Sequence, residues 1–106
     1  MSEIIALPKV KKADVEAEIR NIAKNQSDQI EFLDHASLRM QEREFSPKQV
    51  LSVLRTGVML GTPDWEIELE RGWRCRFRRI HAGDQITVCV KLVERDEAVC
   101  LIVTVF

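Results

Sequence analysis

The chain has 106 residues, with 16 Lys and Arg against 17 Asp and Glu and 45% apolar positions, which suits one compact soluble domain rather than two. A formal charge of −1 excludes a broadly cationic nucleic-acid surface and leaves room only for a local basic patch. The three cysteines, Cys75, Cys89 and Cys100, are too scattered for a zinc cluster or a disulfide framework, so a reducing, cytoplasmic setting is expected.

From Met1 to Lys12 apolar and charged residues alternate around Pro8, which is no secretion signal. No run approaches the roughly 20 apolar residues of a membrane span, so no membrane partner is expected. Over Ala13 to Asn25, Val15, Ile19, Ile22 and Ala23 recur at three- and four-residue steps, one stripe of an amphipathic helix. A second helix is expected over Asp34 to Glu44, with Asp34 as N-cap and Leu33, Ala36 and Met40 along its apolar side. The third has the clearest ends. Ser46 is placed to cap it, Pro47 to occupy its first turn and Gly57 to stop it, and Val50, Leu51 and Leu54 form its buried side.

After Gly61 and Pro63 the period changes to two. Trp65, Ile67 and Leu69 alternate with Asp64, Glu66 and Glu68, and Trp73, Cys75 and Phe77 with Arg74, Arg76 and Arg78. A three-residue loop, Glu70 to Gly72 with Gly72 left-handed, keeps like faces together. It sets Glu68 against Arg74, Glu66 against Arg76 and Asp64 against Arg78, a ladder of opposite charges. A turn at Ala82 and Gly83 pairs Phe77 with Val88, Cys75 with Val90 and Trp73 with Leu92, and places Arg78 beside Thr87. A loop over Glu94 to Glu97 then sets Leu92 against Val99, Val90 against Leu101 and Val88 against Val103. The expected architecture is therefore α+β, with N-terminal helices covering one face of a four- or five-stranded antiparallel meander. The last strand, VCLIVTVF, is almost continuously apolar. It needs cover from an N-terminal segment or from a second copy, a homodimer through this edge.

His35, Arg39 and Arg43 stand at i, i+4 and i+8 and spread over only about 80° of their helix, beside its apolar stripe. Two guanidiniums can fork onto phosphate oxygens, and an imidazole can move a proton near neutral pH. The same residues also suit ordinary pairing with Glu31 or Glu42. On the sheet, Arg78 and Lys91 keep free charge in the expected register, because Lys91 opposes Arg74 with no acid of its own. Arg79 falls on the apolar face, and His81 reads as a solvated turn residue. No serine has an acid–base partner at recognisable spacing. His35, His81 and the scattered carboxylates have no metal-ligand spacing, so neither metal nor other cofactor is expected.

The segment HASLRMQEREF, from His35 to Phe45, followed by SPKQVLSVLRTG, resembles a family of small bacterial domains marked by His-Ala-x-x-Arg-Met-x-x-Arg. A threonine in an apolar final strand, here Thr104 in LIVTVF, extends the likeness over Asp34 to Phe106. Residues 1–33 would then be a helical extension of a core spanning 34–106, within a single domain. Such domains look like the RelE/barnase/EndoU/colicin type of metal-independent ribonuclease. The resemblance implies a toxin-type endoribonuclease attacking through the ribose 2′-hydroxyl, with an antitoxin protein as partner. His35 would transfer protons, Arg39 and Arg43 would clamp the phosphate, and Arg78 and Thr104 would bind from the sheet; Lys91, with its free charge, is a further substrate-binding candidate on the residues alone. A non-catalytic RNA-binding or protein-interaction module of the same fold is the other reading, favoured by the near-zero charge.

Overall fold

The computed structural model describes residues 9–106, apart from the side chain of His81. In chain order it has α1 (Val15–Asn25), β1 (Ile30–Phe32), α2 (Asp34–Arg43), α3 (Pro47–Thr56), β2 (Val58–Glu66), β3 (Gly72–His81), β4 (Asp84–Glu94) and β5 (Ala98–Val105). No helix among these is long and apolar enough to cross a membrane.

The helices follow their apolar stripes. Val15, Ile19, Ile22 and Ala23 of α1 are buried, as are Ala36 and Met40 of α2 and Val50, Val53 and Leu54 of α3. α3 begins in a reciprocal cap: the Gln49 N–H donates to the Ser46 hydroxyl at 3.2 Å, and the Ser46 N–H to the Gln49 side chain at 2.8 Å. Two orphan donors are thereby satisfied. α2 begins differently from expectation. Leu33 occupies the cap position without a side-chain bond, and Asp34 is the first helical residue, where its charge still complements the helix dipole.

The sheet is five-stranded and mixed, in the order β1-β5-β4-β3-β2. β2 to β5 form the expected antiparallel meander, and β1 adds on parallel to β5, with Ile30 opposite Cys100 and Phe32 opposite Ile102. The outer edge of β5, where a second copy was one expected cover, is thus occupied there by the chain's own β1. One face of the sheet carries Cys75, Phe77, Ile86, Val88, Val90, Leu92, Cys100, Ile102 and Val105 into a single core with all three helices. α1 belongs to this core and packs on α3, so it covers the helix side; on the opposite face Thr87, Cys89, Lys91, Val93 and Leu101 are buried, and Arg74, Arg76 and Arg78 of β3 are exposed.

Three registers were expected, and they fared differently. The β3–β4 pairing is the expected one, including Trp73 with Leu92, Phe77 with Val88 and Arg78 with Thr87. The β2–β3 pairing keeps the expected faces but slides. Asp64 lies opposite Arg74, Leu60 opposite Arg76 and Val58 opposite Arg78, because β2 starts at Val58 and absorbs Gly61 to Pro63 as an irregularity. Gly72 is not left-handed; it is needed because an added Cβ would sit 2.5 Å from the Leu92 carbonyl oxygen. The β4–β5 pairing is one residue off. Glu94 pairs with Ala98, Leu92 with Cys100 and Val90 with Ile102, and an odd slip exchanges the faces of a strand. Cys100 and Ile102 therefore enter the core, and Val99 and Leu101 turn to the other face. A bulge at Val103 restores the alternation, with Thr104 opposite Cys89 and Val105 opposite Val88.

Candidate nucleic-acid interface

Strand pairing arranges the open face in rows. Phe106 exchanges two backbone hydrogen bonds with Thr87, at 2.7 and 2.9 Å, and Thr87 pairs with Arg78 and Arg78 with Val58. The next row is Thr104, Cys89, Arg76 and Leu60. The third is Leu101, Lys91, Arg74 and Asp64. Each row carries an arginine of β3, about 6.8 Å along the strand from the next, and the third carries Lys91 of β4 as well.

The cations differ in what surrounds them. The Lys91 side chain is only 7% exposed, and its ammonium lies 2.9 Å from the Glu68 carbonyl oxygen and 3.6 Å from the Glu66 carboxylate. Arg74 reaches the same carboxylate at 3.4 Å and donates from Nε to the Cys89 sulfur at 3.1 Å. The expectation that Lys91 lacks an acid is therefore corrected, since the slide of β2 brings Glu66 to it. The same slide removes the acids expected opposite Arg76 and Arg78. Both are exposed, and among the described residues neither forms an ion pair.

On α2, His35, Arg39 and Arg43 are all exposed. Arg39 makes a loose contact with Glu42 at 3.7 Å. The Leu33 N–H donates to the Ile102 carbonyl at 3.1 Å, so α2 starts level with the Ile102 to Thr104 stretch of β5. His35, the second residue of α2, is thus near the end of β5 that carries Thr104, but α2 packs on the helix side through Ala36 and Met40, while Thr104, Phe106 and Arg78 stand in the rows of the other face. Arg39 and Arg43 lie about 6 and 12 Å further along the helix axis. Lys91 lies deeper along β4, outside this group. Arg79 bonds the Ser52 hydroxyl on the helix side, as its parity requires.

Two grooves open on this face. One, of about 570 Å³, lies over Leu33, Leu101 and Val103 and is rimmed by Glu66, Glu68 and Glu70 with Arg74, Lys91 and Arg95. Its charges are largely neutralised: Arg95 binds Glu31 at 2.6 Å and Glu70 at 2.8 Å, and the Arg95 guanidinium holds the Glu70 carboxyl below its ordinary value. The other, of about 390 Å³, lies among Leu60, Thr62, Asp64, Arg76, Cys89 and Phe106. Sequence reasoning read Asp64 and Arg76 as neutralised ladder members, and gave Thr62 and Phe106 no role. The signal available was Gly61 and Pro63 inside a strand, which mark a bulge as readily as a loop.

These features define a small α+β domain with a helix-covered core and, on the other sheet face, two exposed arginines that form no ion pair among the described residues. The chain belongs to the DUF4258 family, a domain of unknown function, whose match spans residues 32–106. No curated protein and no solved structure matches the chain.

Proposed function

We propose that this domain acts on RNA at the sheet end that carries His35, Thr104, Arg78 and Phe106, as a metal-independent endoribonuclease of the RelE-like type. The supporting observation is the register itself. Among the described residues it leaves Arg76 and Arg78 exposed and without acids opposite them, while the parallel β1–β5 pairing starts α2, with His35, level with the Ile102 to Thr104 end of β5. In the proposed step, His35 accepts the proton of a ribose 2′-hydroxyl. The 2′-oxygen attacks the adjacent phosphorus to close a 2′,3′-cyclic phosphate, the bond from phosphorus to the 5′-oxygen breaks, and the 5′-oxygen takes a proton from water. Arg78, with Arg39 reaching from α2, stabilises charge on the phosphoryl oxygens. A toxin of this kind would be held in check by a separate antitoxin protein.

Total RNA incubated with the protein in EDTA tests the cleavage. Wild type is expected to shorten the RNA and His35→Ala to leave it intact; identical profiles for the two proteins overturn the catalytic reading. A second reading, RNA binding without cleavage, is favoured by one observation: among the described residues no hydrogen bond orients His35, whereas a general base is normally held by a partner. Under that reading both proteins retain RNA equally and neither shortens it.

A further inference from the structure

The geometry points to a guanine-base subsite in the smaller groove, between the bulge of β2 and Phe106. The inference rests on the reading that this face binds RNA, and adds the base that it selects. The groove exists because the β2–β3 pairing jumps from Leu60–Arg76 to Asp64–Arg74. Gly61, Thr62 and Pro63 therefore stand against the single residue Cys75, with Gly61 at φ +68°, a left-handed backbone that suits glycine. Of the charged groups lining it, Glu66 and Arg74 already bond each other, and Arg74 also engages Cys89. The Asp64 carboxylate and the Arg76 guanidinium are the two without a partner among the described residues. At the far side the Phe106 side chain is 44% exposed, and its backbone is fixed by the two hydrogen bonds to Thr87.

A part-exposed aromatic ring, a carboxylate and a guanidinium without partners among the described residues, in one small groove, match the face of a base, its hydrogen-bonding edge and its phosphate. The ring stacks on a base. The guanidinium forks onto a phosphate. The carboxylate only accepts hydrogen bonds, through two oxygens side by side. Guanine alone among the RNA bases offers two adjacent donors, N1–H and the 2-amino group, on its Watson–Crick edge. Adenine and cytosine set an amine beside an acceptor, and uracil flanks its N–H with two carbonyls, so each brings a lone pair against the carboxylate. Asp64 is thereby the specificity-determining residue, Phe106 the stacking platform and Arg76 the phosphate contact.

Titration with mononucleotides, followed by NMR shifts of the protein amides, tests this without any cleavage. Guanosine 5′-monophosphate is expected to bind at least about tenfold more tightly than adenosine 5′-monophosphate, the scale of hydrogen bonds to a charged group. Inosine 5′-monophosphate, which lacks the 2-amino group, should fall between them. Asp64→Asn should bring the guanosine and adenosine nucleotides within about twofold of each other, since an amide can present only one acceptor there. Phe106→Ala should weaken both by a similar factor, about tenfold. Both positions are exposed, so the variants should keep the wild-type amide spectrum elsewhere. Equal affinities for the two nucleotides in wild type, or no saturation by either, overturn the subsite even if RNA is cleaved. A guanosine preference in a protein that leaves RNA intact keeps the subsite and removes the ribonuclease reading instead.

Discussion

The two faces of the sheet are made from the same strands and differ in almost every property. On the helix side, residues from β3, β4 and β5 meet nine buried residues of α1, α2 and α3 in one apolar cluster, and Phe77 at its centre has no exposed surface. On the open side, the rows run from a neutralised part, where Lys91 and Arg74 share Glu66, to a part where Arg76 and Arg78 have no acid opposite them on β2. The helix side accounts for folding by burial of apolar surface. Exposed arginines contribute little to stability, so their arrangement on the open side is free to serve binding. What separates the two parts of the open side is the bulge in β2: below it Glu66 reaches Arg74 and Lys91, and above it Leu60 and Val58 face Arg76 and Arg78.

Substitutions can break this contrast at either end. Phe77→Ala, which empties the middle of the core, should cost about 3–5 kcal/mol in a denaturant titration. A smaller effect is expected from pH. Burial pushes the Cys75 thiol up to about 12, so its proton is held more tightly in the folded chain than in the unfolded one. That contribution is complete at neutral pH and is lost as pH climbs from the ordinary thiol range toward 12. Denaturation midpoints should therefore fall with alkaline pH more steeply in wild type than in Cys75→Ala. The smallest effect belongs to the open face: replacing Arg76 and Arg78 together by Ala should change stability by no more than about 0.5 kcal/mol. A loss comparable to that of Phe77→Ala would mean the two faces are not divided in this way.

The parts of this arrangement that were legible in the sequence are those with a single strong signal. The Ser46-Pro47 start marked α3, and arginines alternating with Trp73, Cys75 and Phe77 set the β3–β4 register against a strand of clear parity. β5 was harder because VCLIVTVF is apolar at nearly every position, so alternation does not choose between two registers one residue apart; the three-residue loop from Arg95 to Glu97 chooses. β1 has only three residues, too few for a period, and is recognisable only once β5 needs an edge partner. In the candidate site, His35, Arg78 and Thr104 were each legible as residue types. That His35 stands level with the Thr104 end of β5 depends on β1 running parallel to β5, and the lack of an acid opposite Arg76 depends on the bulge. Both are long-range pairings, which local pattern does not carry.

The central claim is that Arg76 and Arg78 meet RNA phosphates on the open face. It is tested most directly by measuring the affinity for a single-stranded oligoribonucleotide at a series of salt concentrations, for wild type and for the Arg76→Ala/Arg78→Ala double variant. Each lost phosphate contact on a single strand should flatten the logarithmic dependence by about 0.7, so the double variant should bind more weakly at low salt with a slope shallower by about 1.4. Parallel lines of equal affinity for the two proteins would contradict the account.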